Sequence, residues 1–211
     1  MEFIKTLWFK IYLPGCIFVP CIIYQIIMYK SHYWEKGRRW HLVWSYIFIL
    51  YLYMALDVAG MGGFWDIGHY DQIIRVEEIN FIPFQSEGAM TYILNIIMFM
   101  PLGFLLPFLW KQYEKIVRVI AAGAGFSFLI EIGQLFNRRK TDIDDLTMNV
   151  IGTILGFIIC YIFHKIFRTR HIEQDGTSLA EPIAYIILAV LGKFFLYNWR
   201  YFARIFQNVA V

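Results

Sequence analysis

Five long apolar stretches recur along this chain, at about 11–29, 42–60, 91–110, 117–136 and 146–163, with a shorter one at 183–197. A helix that crosses a ~30 Å hydrocarbon layer needs about 20 predominantly apolar residues. The first five stretches have that length and the sixth falls short of it. Apolar residues make up 59% of the sequence and charged ones 17%, against about half and a quarter in a soluble domain. The chain therefore reads as all-α, a polytopic integral membrane bundle of five to six transmembrane helices forming one domain over residues 1–211. Trp8, Trp34, Trp40, Trp44, Trp65, Trp110 and Trp199 fall at or near the ends of these stretches, where indole rings favour the headgroup layer.

The remaining composition excludes more than it assigns. A net charge of +3 gives no support for a nucleic-acid partner. Cys16, Cys21 and Cys160 all lie in apolar runs, an odd number without C-x-x-C spacing, so neither a disulfide framework nor a cysteine metal site is expected. LPGC at 13–16 has the look of a lipoprotein cleavage box, but the hydrophobic stretch follows Cys16 instead of preceding it.

Lys and Arg set the orientation. They gather at Lys30, Lys36, Arg38 and Arg39, at Lys111, Lys115 and Arg118, and at Lys165, Arg168 and Arg170. The long connection at 61–90 carries Arg75 alone against Asp66, Asp71, Glu77, Glu78 and Glu87. These counts place the three basic loops in the cytoplasm, with loop 61–90, both termini and the turn at 137–145 outside. Loop 61–90 opens with GMGG, read as flexible, and continues with DIGHYDQIIRVEEI, able to lie as a short helix on the membrane surface. A lid or binding role and a plain anchoring role both fit it. His69 reads as a solvated loop residue, Asp57 as a headgroup-level residue, and the segment 164–182 as a linker.

The most informative segment is EIGQLFNRRKTDIDDLTMN at 131–149, polar between two membrane spans. At ~100° per residue, Gly123, Ser127, Glu131, Gln134 and Arg138 share one arc of the fourth helix, and Asp142, Asp145, Asn149, Gly152 and Gly156 share one of the fifth. A short turn makes these helices antiparallel neighbours. The expected layers are Arg138 with Asp142, Gln134 with Asp145, Glu131 with Asn149, Ser127 with Gly152 and Gly123 with Gly156. The small residues at the bottom are read as helix-packing positions. The polar ones must face each other or a cavity, since lipid-facing charge is costly. Asp144 points away from this seam and reads as a helix-start residue at the interface, with Thr141 or Asp142 as N-cap. On the third span, Asn95 stands near the same level, and Pro101 is expected to kink the helix around Met98–Phe99.

Two uses of the seam follow. As a binding pocket, Asn95, Glu131, Gln134, Arg138, Asp142, Asp145 and Asn149 would hold a polar head, with Arg138 meeting an anionic group. As a catalytic site, Glu131 or Asp145 would act as general base, with a divalent metal ion on Asp142 and Asp145. The binding reading leads and needs no cofactor. A purely structural clamp between two helices is the bland alternative.

The pieces NFIPF at 80–84, N-x3-F-x-PLGFLLP from Asn95 to Pro107, and E-x2-Q-x3-R-x3-D-x2-D-x3-N-x2-G-x3-G from Glu131 to Gly156 together resemble the VanZ-like family. The resemblance is carried by about residues 78–160, within a family core of about 40–165, leaving the span at 183–197 as an addition. It implies a multi-pass protein of the bacterial cytoplasmic membrane. The founding member is linked to resistance against teicoplanin, a lipid-tailed glycopeptide antibiotic. The binding reading of the seam takes as partners membrane lipids and an amphiphile such as a lipid-linked envelope precursor or a lipoglycopeptide.

Overall fold

The computed structural model describes residues 2–31, 38–67, 79–80, 88–137, 141–167, 178–198 and 200–201. Six α-helices occupy them: α1 (Glu2–Ser31), α2 (Arg38–Val58), α3 (Ala89–Leu109), α4 (Ile116–Gln134), α5 (Ile143–Phe167) and α6 (Ala180–Leu191). The first five are long and apolar enough to cross a membrane. Their outward faces confirm the solvent they are built for. Val19, Ile23 and Ile27 of α1, Leu50 and Met54 of α2, Ile93 and Ile97 of α3, Phe128 of α4 and Ile158 and Ile162 of α5 are all exposed. A water-soluble helix carries polar residues on that face; these carry aliphatic and aromatic ones, as hydrocarbon requires.

Consecutive helices alternate in direction, so the bundle has two ends. At the turn end lie the exit of α2, the start of α3 and the connection from α4 to α5. At the far end lie the start of α2, the exit of α3 and the start of α6. The core runs between them through Ile17, Phe48, Leu52, Leu56, Phe99, Leu102, Leu106, Phe126 and Ile130.

The closest helix pair is α3 with α5, which run parallel. A Cβ on Gly152 would stand 2.2 Å from the carbonyl oxygen of Ile96, and one on Gly156 would stand 1.9 Å from that of Met100. In return, a Cβ on Gly103 would stand 1.9 Å from the carbonyl oxygen of Thr153. Small residues one turn apart let two backbones touch, the packing device available where lipid offers no hydrophobic drive. This corrects the expected layers: Gly152 and Gly156 serve α3, whereas the sequence stripe assigned them to α4. The α4–α5 contact is made instead by Gly123 against the Thr153 side chain and Ser127 against Asn149. That register is displaced by about one turn from the expected one. The cause is that α4 ends at Gln134 instead of continuing to Arg138, so the centre of the turn moves towards α4. Leu135, Phe136 and Asn137 complete the exit with amide bonds back to Glu131, Gly133 and Gln134.

The same parallel order appears outside the helices. A two-residue strand β1 (Ile79–Asn80) pairs in parallel with β2 (Thr141–Asp142). Each leads towards one member of the α3–α5 pair, so the long connection is tied to the α4–α5 turn. The surface helix expected within 66–79 lies largely outside the described residues, as does His69. The GMGG run is not a flexible tether. Met61, Gly62 and Gly63 are buried, and a Cβ on Gly62 would stand 2.7 Å from the carbonyl oxygen of Gly133. Within this run Gly60 takes a left-handed conformation, with φ 60°.

α3 continues through Pro101 and Pro107 as one helix. α6 has 12 residues and is prolonged by a π-helical turn over Gly192–Leu196. Its start meets His41 and Trp110, and its end meets Gly63 and Trp65. The unit thus reaches from the far end to the turn end beside α2. It packs antiparallel on α1, where a Cβ on Gly192 would stand 2.2 Å from the carbonyl oxygen of Cys16.

Candidate functional site

A cavity of about 300 Å³ opens at the turn end among α2, α3, α4 and α5. Its polar lining is Thr91, Asn95, Glu131, Gln134, Asp145 and Asn149, over apolar walls that include Val58, Leu94, Met98 and Ile130. Five of the seven binding residues named from the sequence therefore meet in one place. Arg138 lies outside the described residues. Asp142 is described through its backbone in β2, immediately before the first residue of α5.

Each polar residue is positioned by a distinct contact. Asn95 Nδ2 of α3 donates to Asp145 Oδ1 in the first turn of α5. Gln134 Nε2 donates to the carbonyl oxygen of Ala59 at 2.8 Å, and Asn137 Nδ2 to that of Gly60 at 2.7 Å. These two bonds clamp the exit of α2 onto the end of α4. Asn149 Nδ2 donates to Ser127 Oγ at 2.9 Å, and Thr153 Oγ1 donates to the Asn149 carbonyl at 2.9 Å. Glu131, Gln134 and Asn149 are 6%, 4% and 2% exposed, so the deep side of the cavity is buried and polar at once. Two side-chain acceptors there, Gln134 Oε1 and Asn149 Oδ1, are buried without a hydrogen-bond partner among the described residues.

Asp144 departs from its expected place at the interface. It is 1% exposed and accepts a hydrogen bond from Tyr92 Oη at 2.8 Å, so it secures α5 to α3 beside the cavity. Asp57 is exposed. Among the described residues, no three His, Cys, Asp or Glu side chains gather as a metal ion would need.

Below the polar cavity an apolar groove of about 710 Å³ descends the flank of the bundle. Its walls are Leu50, Met54 and Val58 of α2 and Leu94, Ile97, Met98 and Pro101 of α3, with Gly156 and Ile159 of α5. Val58, Leu94 and Met98 line both spaces, so the groove adjoins the cavity. From Val58 to Ile47 it follows α2 for about 16 Å at 1.5 Å per residue, close to one leaflet's depth.

A second polar centre, which sequence reasoning missed, occupies the far end. Glu181 accepts hydrogen bonds from Trp110 Nε1 at 2.9 Å, His41 Nε2 at 3.0 Å and Tyr185 Oη at 3.1 Å. Tyr113 Oη donates to the carbonyl oxygen of Leu179 at 3.0 Å. The end of the segment read as a linker is thus part of the bundle. Trp110, read as a headgroup anchor, is fully buried at 0% exposure, whereas Trp40 and Trp65 are exposed. The available signal was a carboxylate next to a proline at the head of an apolar run, AEP at 180–182. Its geometry makes it a structural clasp.

The sequence model of the VanZ/LLP1 family matches residues 16–164. No curated protein and no solved structure matches the chain. The matched region contains α2, α3 and α4 entire and α5 as far as residue 164, with the polar cavity and the groove below it. The chain is a multi-pass membrane protein that belongs to the VanZ/LLP1 family.

Proposed function

We propose that this protein binds an amphiphile, with a polar head in the cavity at the turn end and a hydrocarbon chain in the groove beneath. The adjacency of the two spaces, which share Val58, Leu94 and Met98 as lining, carries this reading. A ligand site for a wholly polar molecule needs no apolar extension one leaflet long. A plain lipid-facing surface needs no buried amide and carboxylate side chains above it. In the orientation expected from the basic loops, the turn end faces away from the cytoplasm, and the ligand then enters from the outer leaflet of the bacterial cytoplasmic membrane. An envelope lipid, a lipid-linked envelope precursor and a lipoglycopeptide all have this build. Altered susceptibility to a lipoglycopeptide would be one consequence of capturing it.

The test is lipid retention by the purified protein in lipid nanodiscs, read by native mass spectrometry. Leu94→Trp and Met54→Trp fill the groove from its two walls while their side chains stay on a lipid-facing surface. Each is expected to lower retention of bound amphiphile about tenfold, equivalent to ~1.4 kcal/mol, with unchanged thermal unfolding. Equal retention by wild type and both variants would refute the assignment of the groove. A parallel assay compares teicoplanin susceptibility of cells that express wild type or Leu94→Trp.

A further inference from the structure

The last helical unit reaches the cavity wall through a short series of contacts. On leaving α2, the run 60–63 passes between the end of α4 and the π-helical turn at Gly192–Leu196. On the α4 side, the carbonyl oxygens of Ala59 and Gly60 accept from Gln134 Nε2 and Asn137 Nδ2. A Cβ on Gly62 would stand 2.7 Å from the carbonyl oxygen of Gly133. On the other side, a Cβ on Gly63 would stand 3.1 Å from the carbonyl oxygen of Phe194 and 3.6 Å from that of Tyr197. Two adjacent glycines thus let the chain thread between two backbones with no slack on either side. Beside them the rings of Phe136 and Phe194 meet edge to face, with centroids 5.5 Å apart.

The π-helical turn is itself held in place by its neighbours. Trp65 Nε1 donates to the carbonyl oxygen of Phe195 at 3.0 Å, and Asp66 pairs with Arg200 at 3.3 Å. Tyr12 Oη of α1 donates to the carbonyl oxygen of Leu196 at 2.6 Å and accepts from the Asn198 amide at 3.0 Å. Close-packed groups transmit a displacement because no void absorbs it. A shift of this turn therefore presses Gly63, and through Gly62 the Gly133 carbonyl, one residue before Gln134. Gln134 lines the polar cavity. The family match ends at residue 164, so this brace comes from outside the matched region.

We infer that the π-helical turn after α6 is a positioning element for the cavity, and that it sets head-group selectivity through the placement of Gln134. This deepens the amphiphile reading and rests on it. Gln134 is the last residue of α4, and helix ends fray unless something packs on them. A polar side chain discriminates between head groups only while its placement is fixed, since a hydrogen bond weakens steeply with misalignment. The bonds to Ala59 and Gly60 tie the end of α4 to the exit of α2, and the turn holds that exit from behind. The rival is that those two bonds suffice and the turn is passive packing.

The test compares full-length wild type with Trp65→Phe, Phe194→Ala and Gly63→Ala in lipid nanodiscs, with Glu181→Gln as the control. The first removes the donor to the Phe195 carbonyl, the second the ring against Phe136, and the third adds the Cβ. The control loosens the opposite end of the same helical unit. Dodecanol, dodecyl maltoside, dodecylamine and dodecyl phosphate share one chain and differ in head, and each competes with a fluorescent fatty-chain probe. The range of their displacing concentrations, corrected for partition into the lipid, measures selectivity. Wild type is expected to spread the four over about tenfold, and the three variants over about threefold or less. Displacement by dodecanol should change by less than about twofold. Hydrogen exchange across 129–137 should quicken in the variants, with α3 and α5 unchanged. Glu181→Gln should unfold at lower temperature and keep the wild-type range. Trp65 is exposed, so its variant keeps the fold and the test stands on it if the other two do not fold. An unchanged range in the folded variants would overturn the inference, whatever the exchange shows, and leave amphiphile binding intact. Equal narrowing by Glu181→Gln would overturn it as general loosening, as would a wild type that does not distinguish the four heads. Failure of every probe on wild type would remove the amphiphile reading and this inference with it.

Discussion

Glu181 shows how much one carboxylate can organise when it is the acceptor for three helices. His41 belongs to α2, Trp110 to the exit of α3 and Tyr185 to α6, and all three donate to it. Hydrogen bonds to a charged group contribute about 1.5–3 kcal/mol each, and a stranded donor costs a similar amount. Glu181→Ala leaves three buried donors unmatched and is expected to destabilise the protein by about 3–5 kcal/mol, measured by thermal or denaturant unfolding in detergent. Glu181→Gln keeps one acceptor and the shape, and should lose about half of that. Both should leave amphiphile selectivity unchanged, because the clasp and the cavity sit at opposite ends. Sequence reasoning missed this residue because its meaning depends on where α6 docks. Asn95, Glu131, Gln134, Asp145 and Asn149 were legible because a polar side chain in an apolar helix has few tolerable directions. What they bond to was not legible. Gln134 and Glu131 were paired with α5 on paper; Gln134 instead donates to the exit of α2, whose position no periodicity encodes.

At the scale of elements, length and apolarity identified α2, α3, α4 and α5 to within a few residues. α1 starts earlier than its apolar run, since helix formation continues past the hydrophobic core when no breaker intervenes. Glycine spacing marked Gly152 and Gly156 as a packing face but could not say which neighbour used it. Both α3 and α4 are mostly apolar helices with room for a close neighbour, and the choice lies in the path of the chain. Gly156→Ala tests the outcome. Its Cβ would meet the Met100 carbonyl at 1.9 Å, forcing α3 and α5 apart at a cost of about 1–3 kcal/mol. Gly125→Ala is the matched control, with nothing within 4 Å of its Cβ, and should be neutral or slightly stabilising by helix propensity, about 1 kcal/mol at most. Because Gly156 also floors the groove, the first variant should reduce amphiphile retention along with stability, and the second should leave retention unchanged.

Across the whole molecule, the polar groups are divided between two ends joined by an apolar middle. The turn end holds the cavity, and the far end holds the clasp. The last helical unit connects the two, with His41 and Trp110 at its beginning and Gly63 and Trp65 at its end. That arrangement has a consequence for biogenesis. Chains fold from the N-terminus as they are made, and the acceptor that His41 and Trp110 require is encoded at position 181. Until translation passes that point, the earlier helices are inserted with two donors exposed at one end and α1 lacking its antiparallel neighbour. The final stretch works as a latch set after the rest is in place. Translation stopped ahead of Ser178 is expected to yield an inserted product that membrane quality control degrades faster than the full chain, measurable by pulse-chase turnover.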